Sequence, residues 1–391
     1  MVDTILYQYM AEMLRQSTEK HFRYLYDEID WNARLVGIVG PRGVGKSTMI
    51  RQHIKSQKDY SKMLYVSADF IYFNNHTLVY LADELVKDGG THLFIDEVHK
   101  YKNWSQELKQ IYDVHPDLHV VYTGSSILDI YDGLADLSRR TLLYNMQGLS
   151  FREYLLIQYD ISAAVFSLDD IVHNKVSIPE LPHPLPVFRE YLANGYYPFS
   201  NEPGFDLRIN QIVQQTIESD IAQYADLKPA TARKLKQLLG VVAGLAPYKP
   251  NFDNLSKEVG VSKNNVPDYL TYLERAGLLG MLRDDTSGMR QLGKIEKIYI
   301  DNPSLMTVLA AGNPDIGNLR KTFFFNQMRL RNKLVSSKVS DFFIAPYTFE
   351  VGGKGKGARQ IESVSNGLIV KDNIETGHGI VIPLWTFGMN Y

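Results

Sequence analysis

Cysteine is missing from all 391 residues, and with it go disulfide bridges, thiol nucleophiles and thiolate zinc sites. This usage fits a reducing compartment. No apolar run approaches the roughly 20 residues that span a bilayer, and the start of the chain has no basic segment ahead of an unbroken apolar stretch. Ile5, Leu6, Tyr9, Met10, Met13 and Leu14 recur at helical spacing instead, which predicts an amphipathic helix. A cytoplasmic protein without membrane contact is the expectation. An excess of charge is lacking too: 42 Lys and Arg stand against 44 Asp and Glu, for a formal net charge of -2. Whole-molecule attraction to nucleic acid is thereby excluded, and any such contact is confined to local basic faces. No internal repeat or low-complexity tail is present. What remains is a chain with 45% hydrophobic residues, long enough for two or three cores.

Residues 35 to 155 alternate short apolar runs with helical stretches. Leu35 to Val39, Met63 to Val66, Leu93 to Ile95 and Leu118 to Tyr122 are each of strand length, the pattern of a parallel sheet with helical crossovers. A proline-rich stretch from Ile178 to Pro186 reads as a connector, because proline continues neither a helix nor an inner strand. Helical patterning follows to about residue 250. Between Asn254 and Asp301 two short helices, a longer one around Val266 to Ala276 and strands at Leu278 to Leu282 and Lys297 to Ile300 are predicted. The last hundred or so residues turn β-rich, with strands at Phe342 to Ile344, Tyr347 to Val351 and Leu368 to Val370.

The first strand runs directly into Gly40-Pro41-Arg42-Gly43-Val44-Gly45-Lys46-Ser47, which matches GxxxxGK[ST], the Walker A loop, and a helical pattern starts there with Thr48 in its first turn. Glycines let such a loop turn tightly, so that backbone N-H groups and the helix N-terminus face phosphate oxygens. Lys46 is placed to reach the β and γ phosphates and Ser47 to coordinate magnesium. Downstream, the apolar strand Leu93-Phe94-Ile95 ends in Asp96 and Glu97. Asp96 is the expected metal holder and Glu97 the group that polarises the attacking water. The next strand ends in Tyr122-Thr123-Gly124-Ser125, and Thr123 or Ser125 is the candidate sensor of the γ-phosphate. Arg139 and Arg140 precede the fifth strand, and either one is the candidate arginine finger, in cis or from a neighbour. The Asn-Lys-x-Asp guanine reader is missing, since Asn174-Lys175-Val176-Ser177 lacks the aspartate, so ATP is favoured over GTP.

With GPRGVGKST, LFIDEVHK, VVYTGSS and GLSFREYL in order, the first half resembles prokaryotic AAA-superfamily ATPases that carry a C-terminal domain of uncharacterised function. The likeness continues through NLSKEVGVSKNNVPDYL, EKIYIDNP, GNLRKTFFFNQM and FEVGGKGK. It implies an α/β P-loop NTPase domain over 1–156, a helical linker or lid over 157–250, a winged helix over 251–302 and an α+β domain like the PD-(D/E)XK nucleases over 303–391. It also implies ATP and magnesium as ligands and raises DNA as a partner. In the winged helix, Lys263, Asn264 and Asn265 sit where base or phosphate contacts start. Asn264 as N-cap puts Pro267 at the third helical position, where it loses no backbone bond.

In the nuclease fold a helix glutamate, a strand aspartate and a strand Glu-x-Lys gather a metal. Asp341 and Glu350 match the two middle roles. Lys321 stands where relatives have the helix glutamate, Gly352 stands where the lysine belongs, and Lys354 is the nearest replacement in sequence. These departures argue against nuclease activity. Arg320, Lys321, Arg329, Arg331, Lys333, Lys338, Lys354, Lys356 and Arg359 form a basic set suited to a phosphate backbone, and Phe323 to Phe325 are expected in the core. The function expected is a magnesium-dependent ATPase coupled to a DNA-binding module. The alternatives are an ATP switch that does not hydrolyse and an ATP-gated nuclease.

Overall fold

Apolar runs of four to six residues become strands buried on both faces when helices cover both sides of a parallel sheet. The computed structural model describes residues 1–124, 137, 139–285, 294–357 and 359–391, and its chain divides into two units, Met1–Gln147 and Gly148–Tyr391. In the first, β1 (Leu35–Val39), β2 (Met63–Ser67), β3 (His92–Asp96), β4 (His119–Gly124) and β5 (Leu142–Asn145) make a sheet of order β2-β3-β4-β1-β5. Every pairing in it is parallel. All five residues of β1 are buried.

Among the described residues four α-helices belong to this unit: α1 (Thr4–Arg15), α2 (Lys46–Ser56), α3 (Leu78–Lys87) and α4 (Trp104–Val114). The helix predicted at the N-terminus is α1. Asp3 caps it by accepting from the Ile5 N-H, and Leu6, Met10 and Leu14 turn one stripe inward. Because β1 is flanked by β4 on one side and β5 on the other, the strand order reverses there. The carboxyl ends of β1, β3 and β4 therefore border a crevice of the kind that receives ligands in open α/β sheets.

The second unit begins with helices α5 (Phe151–Tyr159), α6 (Leu168–Val172) and α7 (Leu185–Glu190). Ser150 and Glu153 form a capping box at the head of α5. Pro186 falls in the first turn of α7, where a missing N-H costs nothing, so the predicted connector ends inside a helix. A long helical stretch, α8 (Phe205–Gln215) continued by a π-helical turn, precedes α9 (Pro229–Leu245).

Between 251 and 302 lie α10 (Phe252–Val259), a 3-10 turn (Lys263–Asn265), α11 (Val266–Arg275) and the antiparallel ribbon β6 (Leu279–Arg283) with β7 (Ile295–Ile300). The second short helix expected here is only that three-residue turn. Ser262 caps it by accepting from the Asn264 N-H. Asn265, not Asn264, is the cap position of α11, and Pro267 sits in the first two positions of that helix.

The chain closes with α12 (Pro303–Leu309), α13 (Ile316–Met328) and a sheet of order β12-β11-β10-β9-β8, formed by β8 (Val335–Ser336), β9 (Phe342–Ile344), β10 (Tyr347–Gly352), β11 (Gly367–Lys371) and β12 (Val381–Pro383). The pairs on one side of β10 are antiparallel and those on the other parallel. Every residue from Thr322 to Met328 is buried. The Phe324 ring lies 4.8 Å from Phe342, 5.2 Å from Phe349 and 4.8 Å from Phe387. Phe323 to Phe325 are core, as expected. Among the described residues no helix is long and apolar enough to cross a membrane.

Candidate nucleotide-binding site

The loop from Gly40 to Gly45 leaves the centre of the sheet and turns straight into α2. Its glycines are required by geometry. Gly40 has φ 154°, and a Cβ on it would stand 2.1 Å from the Met146 carbonyl oxygen. Gly43 (φ 78°) and Gly45 (φ 102°) take left-handed conformations that side chains disfavour. Lys46 is 5% exposed, and its Nζ donates to the carbonyl oxygens of Gly40 (2.8 Å) and Pro41 (2.7 Å). A buried ammonium inside its own loop suits a site that receives negative charge. Ser47 and Thr48 follow in the first turn of α2. Arg51 donates from Nε to the Ser47 carbonyl at 3.1 Å and lies 3.5 Å from the Thr48 hydroxyl. The Val44 side chain is fully buried, and its carbonyl accepts from Arg23, whose other terminal nitrogen donates to Gln147 O at 2.8 Å. Arg23 thus ties the back of the loop to the chain that follows β5.

The structure brings the two downstream motifs to the same sheet edge. Register places Val39 beside Gly124 and Ile95 beside Tyr122, so Asp96 and Thr123 are lateral neighbours and Thr123 stands between the acidic strand and the loop strand. Asp96 is buried, and both its carboxylate oxygens are held. Tyr65 OH donates to Oδ2 at 2.8 Å, and the Thr123 hydroxyl donates to Oδ1. Thr123 Oγ1 also accepts from the Glu97 N-H at 3.2 Å. Burial, followed by the Asp96 charge and hydrogen bond, raises the Tyr65 phenol far above its usual pKa, so it stays a donor. Both donors are neutral and orient Asp96 without cancelling its charge. Asp96 and Ser47 are hard oxygen groups of the kind magnesium prefers, so the residues present fit that ion.

Thr123 thus makes two hydrogen bonds within the chain, donating to Asp96 and accepting from the Glu97 N-H. The other candidate sensor, Ser125, lies outside the described residues. Glu97 adopts φ 52° and turns its carboxylate toward Arg42 and His99: Oε2 is 3.5 Å from His99 Nε2 and 3.8 Å from the Arg42 guanidinium.

Arg140 is not at this site. Leu142 pairs with Val36, so Arg140 lies beyond the amino end of β5, level with Arg34. About six residues separate that level from Gly40, or roughly 20 Å at 3.3 Å per residue, several times what an arginine side chain spans. Its guanidinium makes a two-point contact with Asp113 at 3.0 and 3.1 Å. The expected finger in cis is therefore corrected for Arg140. The neighbouring Arg139 is exposed at the same edge, with φ 73°.

In the second unit Asp341 and Glu350 are buried side by side, and each is covered by lysine. Lys321 Nζ lies 2.7 Å and Lys297 Nζ 3.3 Å from Asp341 Oδ1. Lys356, not Lys354, reaches Glu350; Lys354 is exposed. Arg329 leaves the expected basic surface altogether, since it pairs with buried Asp301. Lys263, Asn264 and Asn265 are exposed, with Lys263 paired to Asp253 at 3.0 Å.

Tyr65, Arg23 and Lys356 contact Asp96, the Val44 carbonyl and Glu350, and nothing in the sequence singled them out for these contacts. Residues 32–155 match the family model described as an AAA domain, and residues 186–315 match one described as a domain of unknown function (DUF8612). No curated protein matches the chain. Among solved structures it is similar to the Walker-type ATPase PABY2304 of Pyrococcus abyssi, at 14% identity over 78% of this chain and 95% of that one, with a TM-score of 0.39. It is also similar to the RuvB Holliday junction branch migration motor of Thermotoga maritima, at 13% identity over 71% and 89%, TM-score 0.28. The replication initiator DnaA bound to AMPPCP and single-stranded DNA matches at 14% identity over 69% and 87%, TM-score 0.30. Likenesses this distant carry no functional argument. The domain model over residues 32–155, together with the loop and sheet, gives that stretch an AAA-type P-loop fold.

Proposed function

We propose that the chain is a magnesium-dependent ATPase whose nucleotide state controls a nucleic-acid-binding second unit. The observation that carries this reading is the oriented, uncancelled carboxylate of Asp96 beside Glu97, one strand away from a phosphate loop with a buried lysine. The backbone N-H groups of Gly40 to Ser47, with Arg42 and Thr48 at the rim, cradle the phosphates. Lys46 exchanges the Gly40 and Pro41 carbonyls for phosphate oxygens, so a neutral contact is replaced by a charge-assisted one. Ser47 and Asp96 hold magnesium, which neutralises charge on the phosphate oxygens when bound. Glu97 accepts the proton of the attacking water. Tyr65 and Thr123 fix the direction of Asp96, and Thr123 fixes the Glu97 backbone as well.

One observation supports the non-hydrolysing switch as a second reading. The Glu97 carboxylate faces His99 and Arg42 and must leave them before it can act as a base. For the second unit we propose a winged helix over 251–302, presenting exposed Lys263, Asn264 and Asn265, followed by a nuclease-like domain over 303–391 that binds rather than cuts. Phosphate release from ATP with and without DNA, compared between wild type and Lys46→Ala, tests the whole reading. DNA-stimulated release that the variant lacks supports a coupled ATPase. Tight ATP retention with no release in wild type favours the switch.

A further inference from the structure

A divalent ion bound by carboxylates needs open oxygens, six or more for the hard cations. The second unit has a carboxylate pair with none. Asp341 directly precedes β9 and Glu350 lies on β10; extending the Phe342-Phe349 pairing by one step sets them opposite each other, with Cβ atoms about 5 Å apart. They are 5% and 3% exposed. Two like charges so close and so buried are costly unless countered.

Three ammonium groups counter them, each from a different element. Lys321 on α13 and Lys297 on β7 share Asp341 Oδ1, and Lys356 from the loop after β10 pairs with Glu350 Oε1. The other two oxygens are also used: Asp341 Oδ2 accepts the Val351 N-H at 3.1 Å, and Glu350 Oε2 accepts from Ser340. The residues therefore do not fit a divalent metal.

The backbone is shaped around these cations. Gly352 follows Glu350 by two on the same strand face, and a Cβ there would stand 2.7 Å from Lys356 Cγ. The stem of Lys356 thus fills the space that a side chain at 352 would take. The Cβ of a residue replacing Gly353 would meet the Arg320 guanidinium at 3.0 Å, and that arginine bonds Asp372 at 2.8 Å. The carboxylates lie beneath and the ammonium groups above, with side chains of Lys321, Lys297 and Lys356 28%, 31% and 33% exposed. Three cations over two anions leave one positive charge facing solvent, the complement of a single phosphodiester.

We propose that Lys297, Lys321 and Lys356 form a metal-independent site for a nucleic-acid backbone phosphate, in which ammonium groups stand where a nuclease holds its metal and the strand is held uncut. This names the contact behind the nucleic-acid reading of the second unit and does not depend on ATP turnover.

The test is fluorescence anisotropy of labelled single-stranded and duplex DNA with the full chain, in EDTA and in magnesium, against salt. Wild type is expected to bind equally in both. Lys321→Gln and Lys356→Gln should each bind roughly tenfold more weakly, with the salt slope reduced by about 1, while Lys58→Gln, at an exposed lysine of the first unit, changes neither. Lys321→Glu, which adds a third carboxylate, should gain Mn²⁺ binding read by EPR. Binding that requires a divalent ion, cutting of the DNA, or a wild-type-like Lys321→Gln and Lys356→Gln would overturn the inference alone. Absence of any wild-type DNA binding would overturn the nucleic-acid reading with it, and equal competition by inorganic phosphate would replace the nucleic acid with a free anion.

Discussion

Asp96 and Glu97 in the first unit and Asp341 and Glu350 in the second are both acidic pairs on or directly beside strands of five-stranded sheets. The two aspartates differ in the charge of their partners, while Glu97 faces Arg42 much as Glu350 faces Lys356. Asp96 is gripped by the neutral hydroxyls of Tyr65 and Thr123, whereas Asp341 and Glu350 are capped by three ammonium groups. A hydroxyl orients a carboxylate and leaves its charge for a cation. An ammonium group cancels the charge and takes the cation's place. On the readings proposed above, the same residue types serve metal binding in one unit and anion binding in the other, according to the charge of the aspartate's partners.

The largest way to break this comparison is at the first pair. Glu97→Gln is expected to cut ATP turnover by roughly 10² to 10⁴ while nucleotide stays bound, read as phosphate release against retained ATP. Lys46→Ala should lose both. Wild-type turnover in Glu97→Gln would remove Glu97 from the mechanism.

Acid should separate the units next. His53 is stacked on Trp31 at 3.9 Å, and burial, with the neighbouring His92 adding, lowers its pKa from 6.5 to about 4. Between those values the unfolded chain binds a proton that the folded one refuses, so stability is full above pH 6.5 and falls as pH drops toward 4. The loss is on the order of 3 kcal/mol at its limit. The hydrogen-exchange protection factors of residues 1–147, taken against the intrinsic rate at each pH, should fall over that window, and His53→Phe should flatten the response. Protection factors that stay constant with pH in wild type would contradict the lowered His53 pKa.

A smaller effect sharpens the role of the neutral donors. Tyr65→Phe removes one of the two bonds to Asp96 and should raise the magnesium concentration for half-maximal turnover roughly tenfold, as for other groups that orient a metal ligand. Turnover at saturating magnesium should recover, a split that general unfolding would not produce. The smallest effects fall on Asp341→Asn and Arg140→Ala, whose ATP turnover at dilute protein should stay within about twofold of wild type. A collapse in Arg140→Ala that depends on protein concentration would point to a finger supplied in trans.

Much of this was legible from the chain. β1 and β9 fall on the residues their apolar runs predicted, and the loop, Asp96 and Glu97 stood out as candidates because each motif is contiguous and follows a strand. The unread parts are long-range. Tyr65 meets Asp96 across 31 positions and Lys297 meets Asp341 across 44, separations at which periodicity carries no signal. Arg140 read as a finger because it precedes β5, yet parallel pairing sends the approach to a strand to the edge opposite the phosphate loop. The edge strands β8 and β12, of two and three residues, are too short to show alternation. Lys356 was passed over for Lys354 because only the bend after Gly352 brings it back over Glu350.

The count of Mn²⁺ ions bound per chain, titrated by EPR with and without a non-hydrolysable ATP analogue, tests the contrast between the two acidic pairs most directly. One ion that binds only with nucleotide and is lost in Asp96→Asn is the predicted result; an ion that binds without nucleotide and is lost in Asp341→Asn would contradict the account.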